Sequence, residues 1–236
     1  VGTGAEITRY QWLVLFVAWL GWVFDSMDST IYALVLQPAL TELLRTGASA
    51  SVSQEAIGWY GGIIFSIFLV GWAVGGVAFG VLADRVGRTR VLVWTILIYA
   101  IFTGLAALSR TWWELAIFRF ITALGIGGEW AAGAALVAEV WPESKRAKAA
   151  GLLQSAWAAG FLLAAVISLV LRQHGWRPIF IVGVGPALVA LLVRVWVKEP
   201  DRWISAKDLA QQSGPGASGK IKTLFEPQWI RSTLVG

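Results

Sequence analysis

The chain has 236 residues, 57% of them hydrophobic and 14% charged, with a mean hydropathy of +0.69; a soluble domain cannot cover its surface with so few charges, so the composition points to a bilayer. The net charge of +5 fits basic loops beside anionic lipid better than nucleic acid. With no Cys and one His, neither a disulfide nor a thiolate or His-rich metal centre is available, and no cofactor is expected.

Crossing about 30 Å of hydrocarbon takes roughly 20 residues of helix. Six runs qualify, at 11–40, 57–83, 91–108, 112–140, 149–171 and 179–197. They are continuous rather than alternating, which argues against a β-barrel. The expected fold class is therefore an all-α membrane protein, with a six-helix bundle over 1–203 and a polar linker over 204–236. Several of the 15 Trp (Trp12, Trp59, Trp112, Trp113, Trp141, Trp176 and Trp196) fall near run ends, where an indole suits headgroup depth.

Residues 1–10 form a short polar lead without a signal-peptide pattern, read as a cytoplasmic tail. The first run then contains its costliest residues. Asp25 and Asp28 lie near its middle, where a carboxylate costs about 2.5–3.5 kcal/mol on insertion scales. At i and i+3 they share one helix face. Two close acids in a poorly solvated site cannot both ionise cheaply, so one is expected to hold a proton that can be loaded and released. Structural pairing with another helix would also explain them. Tyr32 and Gln37 are weaker candidates for lining a cavity.

Nothing in the outer loop 41–55 suggests a site. The second run carries Gly71, Gly75, Gly76 and Gly80, two interleaved small-xxx-small pairs that leave one face bare for a neighbouring helix. It breaks into Asp84, Arg85, Gly87, Arg88 and Arg90. Such a turn belongs in water or a protein-lined polar niche, and its three arginines place it in the cytoplasm. The third run has no ionisable group except Tyr99 and is expected to face lipid.

The fourth run holds Arg119 and Glu129, with Gly125, Gly127, Gly128 and Gly133 for close approach. If the first and fourth helices run in opposite directions at about 1.5 Å per residue, Asp25, Asp28, Arg119 and Glu129 fall within roughly 15 Å near the midplane. Asp28 is then a natural partner for Arg119; a purely structural ion pair is the alternative. In the fifth run, Gln154 beside Trp157 suits a polar cavity wall or a helix-to-helix hydrogen bond. His174 reads as a solvated loop residue. Gly183, Gly185 and Pro186 predict a kink in the sixth run, and Arg194 near its inner end can snorkel. Beyond 203 the composition turns flexible and polar, then amphipathic from 221.

The order Gly80, Asp84, Arg85, Gly87, Arg88, Arg90 reproduces the GxxxDRxGRxR signature joining helices two and three in the major facilitator superfamily of secondary transporters, and the sequence resembles the amino-terminal half of such a protein. That resemblance implies six transmembrane helices as a 3+3 inverted repeat, alternating access, and a second half supplied by further chain or by a second copy. Arg119 with Gly125, Gly127, Gly128, Glu129 and Trp130 resembles the RxxxxxGxGGEW run of metabolite and carboxylate proton symporters, where the Arg is associated with proton coupling. Asp25 and Asp28 resemble the paired acids of the aromatic-acid and sialate or monocarboxylate branches, with Ser26 and Met27 in place of the usual Gly and Tyr. The segment from Glu139 through Glu143 to Arg146 is similar to the sugar-porter signature after helix four, and KEPDRW, with Glu199 and Arg202, to that group's motif after helix six. Gly80, Asp84, Arg85, Gly87, Arg88, Arg90, Glu139, Glu143, Arg146, Glu199 and Arg202 would together make an inner gate of weak, reversible ion pairs.

These readings converge on proton-coupled symport of a small organic anion, with Asp25, Asp28, Arg119 and Glu129 as the coupling residues. A sugar or polyol carrier is the alternative within the family. A non-transporting membrane subunit, or a half-transporter that must dimerise, is the alternative outside it. An enzyme would need a nucleophile with a base or a metal cluster, and none is visible. Basic residues concentrate in the expected inner segments (Arg9; Arg85, Arg88, Arg90; Lys145, Arg146, Lys148; Lys198 onward) against Arg45, Arg110, Arg172 and Arg177 outside. This puts both ends on the cytoplasmic side of the inner or plasma membrane.

Overall fold

A computed structural model describes residues 7–45, 51–200 and 203–205, and every regular element among them is helical. Arg202 and the linker residues 206–236 lie outside the described residues. Helices α1 (Arg9–Leu43), α2 (Gln54–Val86), α3 (Arg88–Ala106), α4 (Trp112–Val140), α5 (Arg146–Gln154), α6 (Ala156–Leu171), α7 (Arg177–Val182) and α8 (Ala187–Trp196) belong to one compact unit, Val1–Pro200. Residues 203–205 form a helical turn in a second unit.

The helix starts follow local chemistry. The first N–H groups of a helix have no partner within it. Thr8 supplies one to α1 in a capping box, with Gln11 N–H donating to Thr8 Oγ1 (3.2 Å) and Thr8 N–H to Gln11 Oε1 (2.8 Å). Ser53 and Thr111 cap α2 and α4 through their hydroxyls alone, which accept from Ala56 N–H and Glu114 N–H. Between α2 and α3 the chain turns on one residue, Gly87, at φ +125°. Only glycine adopts that value without strain.

Five helical stretches are long and apolar enough to cross a membrane: α1 to α4, and Glu143–His174, which contains α5 and α6. The join between α5 and α6 is a local irregularity at Ser155, whose Oγ bonds back to Leu152 O at 2.6 Å. The sixth run is not one continuous span. The expected kink is a break of four residues, Gly183 to Pro186, separating α7 from α8. Pro186 has no N–H to continue the ladder, and the chain tightens to i to i+3 bonds from Gly183 N to Phe180 O, Val184 N to Ile181 O and Gly185 N to Val182 O.

Helix α2 packs chiefly on α4, α3 on α4, and α1 on α6. The bare glycine face of α2 meets α4 backbone: a Cβ on Gly71 would stand 2.7 Å from Phe120 O, and one on Gly75 2.2 Å from Leu124 O. In return, a Cβ on Gly127 would stand 2.1 Å from Trp72 O. The contacts advance together along both helices, so α2 and α4 run parallel. Across the most apolar windows, α1 and α4 are 67% and 61% buried, against 22% for α2 and for Glu143–His174. The two helices that carry the intramembrane charges are thus the central ones.

Helix α3 does not simply face lipid. Tyr99, Thr95 and Thr103 are completely buried, because Gly125 and Gly128 of α4 let the α3 backbone and side chains approach closely. The buried apolar residues form two clusters. One runs through Val14–Val23 of α1 and Leu136–Trp141 at the end of α4. The other includes Met27, Ile31 and Leu40 of α1 with Leu115 of α4 and Phe180 of α7. A polar layer lies where one gives way to the other.

Candidate functional site

That layer contains Asp25, Asp28, Arg119 and Glu129, each at most 2% exposed. Contacts step up α1 as they step down α4: Gln11 with Val140, Gly21 with Glu129, Asp28 with Arg119. The antiparallel register expected from helix directions is the one observed, and it determines which charges meet.

Arg119 pairs with Asp28 by a hydrogen bond from Nη1 to Oδ1 at 3.1 Å and an ionic contact of Nη2 with Oδ2 at 2.8 Å. A hydrogen bond with charge on both partners is stronger than a neutral one. Thr103 Oγ1 donates a further bond to Asp28 Oδ1 at 2.8 Å. The guanidinium also sits over the rings of Phe68 (4.9 Å), Tyr32 (5.0 Å) and Phe180 (5.9 Å). Four helices therefore hold one charge in place, and cation–π contacts gain strength when desolvated.

Asp25 and Glu129 have no such arrangement. Neither carboxylate oxygen of Asp25, nor Oε2 of Glu129, has a hydrogen-bond partner among the described residues. The charges bearing on Asp25 are those of Glu129 and Asp28, both acidic. Glu129 lies against the bare backbone of Gly21, one turn before Asp25, where a Cβ would stand 1.9 Å from its Oε1. The Tyr99 hydroxyl, buried and unpartnered among the described residues, lies in the field of all three carboxylates. Among the described residues, then, three buried carboxylates share one buried cation, and that cation is bound to Asp28. No three His, Cys, Asp or Glu side chains among them converge to hold a metal ion.

Of the weaker candidates, Tyr32 is buried beneath Arg119. Gln37 and Gln154 are exposed. Trp157 is 39% exposed and lies 6.0 Å from Trp130, nearly perpendicular to it.

At the other end of α2 and α4, Arg88 bridges two helices, with Nη1 to Asp84 Oδ1 at 2.6 Å and Nη2 to Glu139 Oε1 at 3.0 Å. Glu143 and Arg146 pair locally at 3.5 Å. Arg85 and Arg90 are exposed, and Gly80 packs half-buried beside Ala131. Glu199 acts as a helix cap: its carboxylate accepts the Thr89 and Arg90 N–H groups, each at 3.2 Å, at the start of α3. An anion at a helix N-terminus is favoured by both the free N–H groups and the dipole. Gly87 admits it, since a Cβ there would stand 2.4 Å from Glu199 Oε1.

The family model described as Major Facilitator Superfamily matches residues 18–236. The chain belongs to the major facilitator superfamily. Among its relatives in the superfamily, a Haemophilus influenzae protein named for metabolite transport is 39% identical over 197 residues, covering 83% of this chain and 46% of that protein. A protein named as a probable 4-methylmuconolactone transporter, from Cupriavidus pinatubonensis, is 36% identical over 90% of this chain and 47% of its own length. The niacin transporter of Acinetobacter baylyi is 35% identical over 79% of this chain and 40% of its own. In fold the chain is similar to the Escherichia coli xylose transporter XylE in a partially occluded inward-open conformation, with a TM-score of 0.73 at 21% identity over 96% of this chain and 56% of that one. The chain spans about half the length of the curated relatives it matches.

The structure also brings in residues that sequence reasoning passed over. Thr103 and Phe180 touch the Asp28–Arg119 pair, yet Thr and Phe in an apolar run carry no signal of their own. The glycine at 21 could have been noticed: it is the one small residue a turn before Asp25, and it is what lets the Glu129 carboxyl approach.

Proposed function

We propose that this chain is the first six-helix half of a secondary active transporter that couples proton movement to uptake of a small organic anion by alternating access. The observation that carries the reading is the surplus of acid in the midplane layer. Arg119 compensates Asp28 and leaves Asp25 and Glu129 with no cation. An ionised carboxylate so placed is costly, and a substrate anion beside two of them is costlier. With protons bound, both acids become hydrogen-bond donors and can receive that anion. Proton and anion then favour each other's binding by the same factor, which is the linkage a symporter needs. In this reading Asp25 and Glu129 exchange the proton, while Arg119 with Asp28 sets the field and holds the layer together.

Relatives named for niacin and 4-methylmuconolactone support a small organic acid as cargo. The pairing of α2 with α4 and of α1 with α6 supports a 3+3 inverted repeat, since exchanging the first three spans with the last three maps one pair onto the other. The bias of basic residues supports cytoplasmic ends. A second six-helix unit, from further chain or another copy, would complete the central pathway. The bridge of Arg88 to Asp84 and Glu139 and the Glu199 cap would form the inner gate, with Gly80, Arg85, Gly87, Arg90, Glu143 and Arg146 around them.

Uptake of labelled carboxylates into proteoliposomes tests this. Uptake should rise with an imposed proton gradient and lose that dependence in Asp25→Asn. Gradient-independent uptake of every carboxylate tried would refute it. The inner-loop signatures favour a sugar or polyol carrier as a second reading, and sugars belong in the same panel. A non-transporting partner subunit would show uptake of neither.

A further inference from the structure

Four Trp pack on one another in the interior of the spans. Trp22 of α1, Trp72 of α2, Trp130 of α4 and Trp157 of α6 converge from four helices at mid-span. Trp130 stacks on Trp22 with ring centroids 4.1 Å apart and planes within 3°. Trp72 and Trp157 meet Trp130 nearly at right angles, at 5.6 Å and 6.0 Å. Headgroup anchoring, the usual reason for Trp in a membrane protein, cannot apply at this depth.

The cluster is in register with the acids. Glu129 lies on Gly21, and the next residue on each helix makes the Trp130–Trp22 stack. Ser26, the residue after Asp25, donates to Trp157 O at 2.9 Å and fixes that part of α6 at the same level. Three of the rings are also reachable, while Trp22 is buried and backs Trp130. Trp72 and Trp130 border an apolar groove between α2 and α4 that includes Gly76 and Gly127, and Trp157 is 39% exposed. Gly127 lets α4 close onto the Trp72 backbone at the floor of this groove, where a Cβ would stand 2.1 Å from Trp72 O.

We propose that Trp22, Trp72, Trp130 and Trp157 form a stacking platform that selects a planar, conjugated carboxylate over a saturated one. This rests on the transport reading above: the carboxylate of the cargo meets Asp25 and Glu129 in their protonated form while its ring lies against the indoles. A saturated ring of the same size buries similar apolar area but has no π-face, so the difference between the two isolates the platform's contribution. Stacking beyond area burial corresponds to about twofold to tenfold in affinity.

The test uses purified protein in liposomes and two probes of matched size and charge, radiolabelled benzoate and cyclohexanecarboxylate. Benzoate should bind about threefold to tenfold more tightly. Trp130→Leu should bring the two affinities within about twofold, whereas Trp130→Phe, which keeps a π-face, should retain most of the preference. Should Trp130→Leu fail to fold, Trp157→Leu at the exposed edge reads the same ratio. Equal affinities in the unsubstituted protein, no binding of either acid, or a preference that survives both Leu substitutions would overturn the platform. If both acids are taken up under a proton gradient with equal affinity, the platform falls and the transport reading stands. If the preference holds but uptake ignores the gradient, the transport reading falls and the platform stands.

Discussion

Asp25 and Asp28 share a helix face and would be given equivalent roles by spacing alone, but the structure predicts opposite costs for removing them. Asp28→Asn replaces the carboxylate that pairs with Arg119 and accepts from Thr103, leaving a completely buried cation with three ring faces and no ion partner. Breaking a buried pair in this way costs about 3–5 kcal/mol. For a chain of this length each kcal/mol is worth roughly 2–4 °C in unfolding midpoint, so the midpoint should fall by about 6–20 °C. Asp25→Asn removes a charge whose oxygens have no partner among the described residues and whose charged neighbours are acidic. It should be neutral or slightly stabilising, within about 1 kcal/mol. Heating each variant in detergent and following the monodisperse peak by size exclusion measures both. A double-mutant cycle with Arg119→Gln should return a coupling energy for Asp28 and almost none for Asp25. If Asp25→Asn proved as damaging as Asp28→Asn, or Asp28→Asn proved harmless, the assignment of Arg119 to Asp28 would be wrong.

Gly75→Ala should separate α2 from α4 and cost about 1–3 kcal/mol, because its Cβ would stand 2.2 Å from Leu124 O; Gly151→Ala, with nothing within 4 Å, should be neutral or gain up to about 1 kcal/mol of helix propensity. The same melting assay compares them. Glu139→Gln should change stability by about 1 kcal/mol or less, since the Arg88 pair is partly solvated, yet shift the conformational balance. The natural chain has no Cys, so one introduced at Gln154 reports that shift through its labelling rate, and an unchanged rate would count against a latch. Glu199→Ala should cost about 1 kcal/mol by uncapping α3, with Glu199→Gln intermediate; equal melting of all three proteins would show that the cap carries no stability.

The amino-acid sequence alone determined that the chain is helical and membrane-embedded, and that α2 turns into α3 through a charged loop, but it did not show that the sixth run breaks into α7 and α8. Long apolar runs have no other way to satisfy their backbone in lipid, and Asp, Arg and Gly at 84–90 cannot continue one. It also placed four ionisable residues at similar depth, because helical rise converts residue number directly into height. The rotation of each helix about its axis was not legible. Hydropathy scores Thr103 and Tyr99 identically whether they face lipid or a carboxylate, so α3 read as a peripheral helix. Spacing put Asp25 and Asp28 on one face but could not say which would reach Arg119. Glu199 read as an ion-pair partner because a charge in a loop does not reveal that free helix N–H groups lie within its reach. Those choices depend on the azimuth of one helix against another, and that is decided by close approach at Gly21, Gly75, Gly125 and Gly127, contacts between residues far apart in the chain that no local pattern encodes.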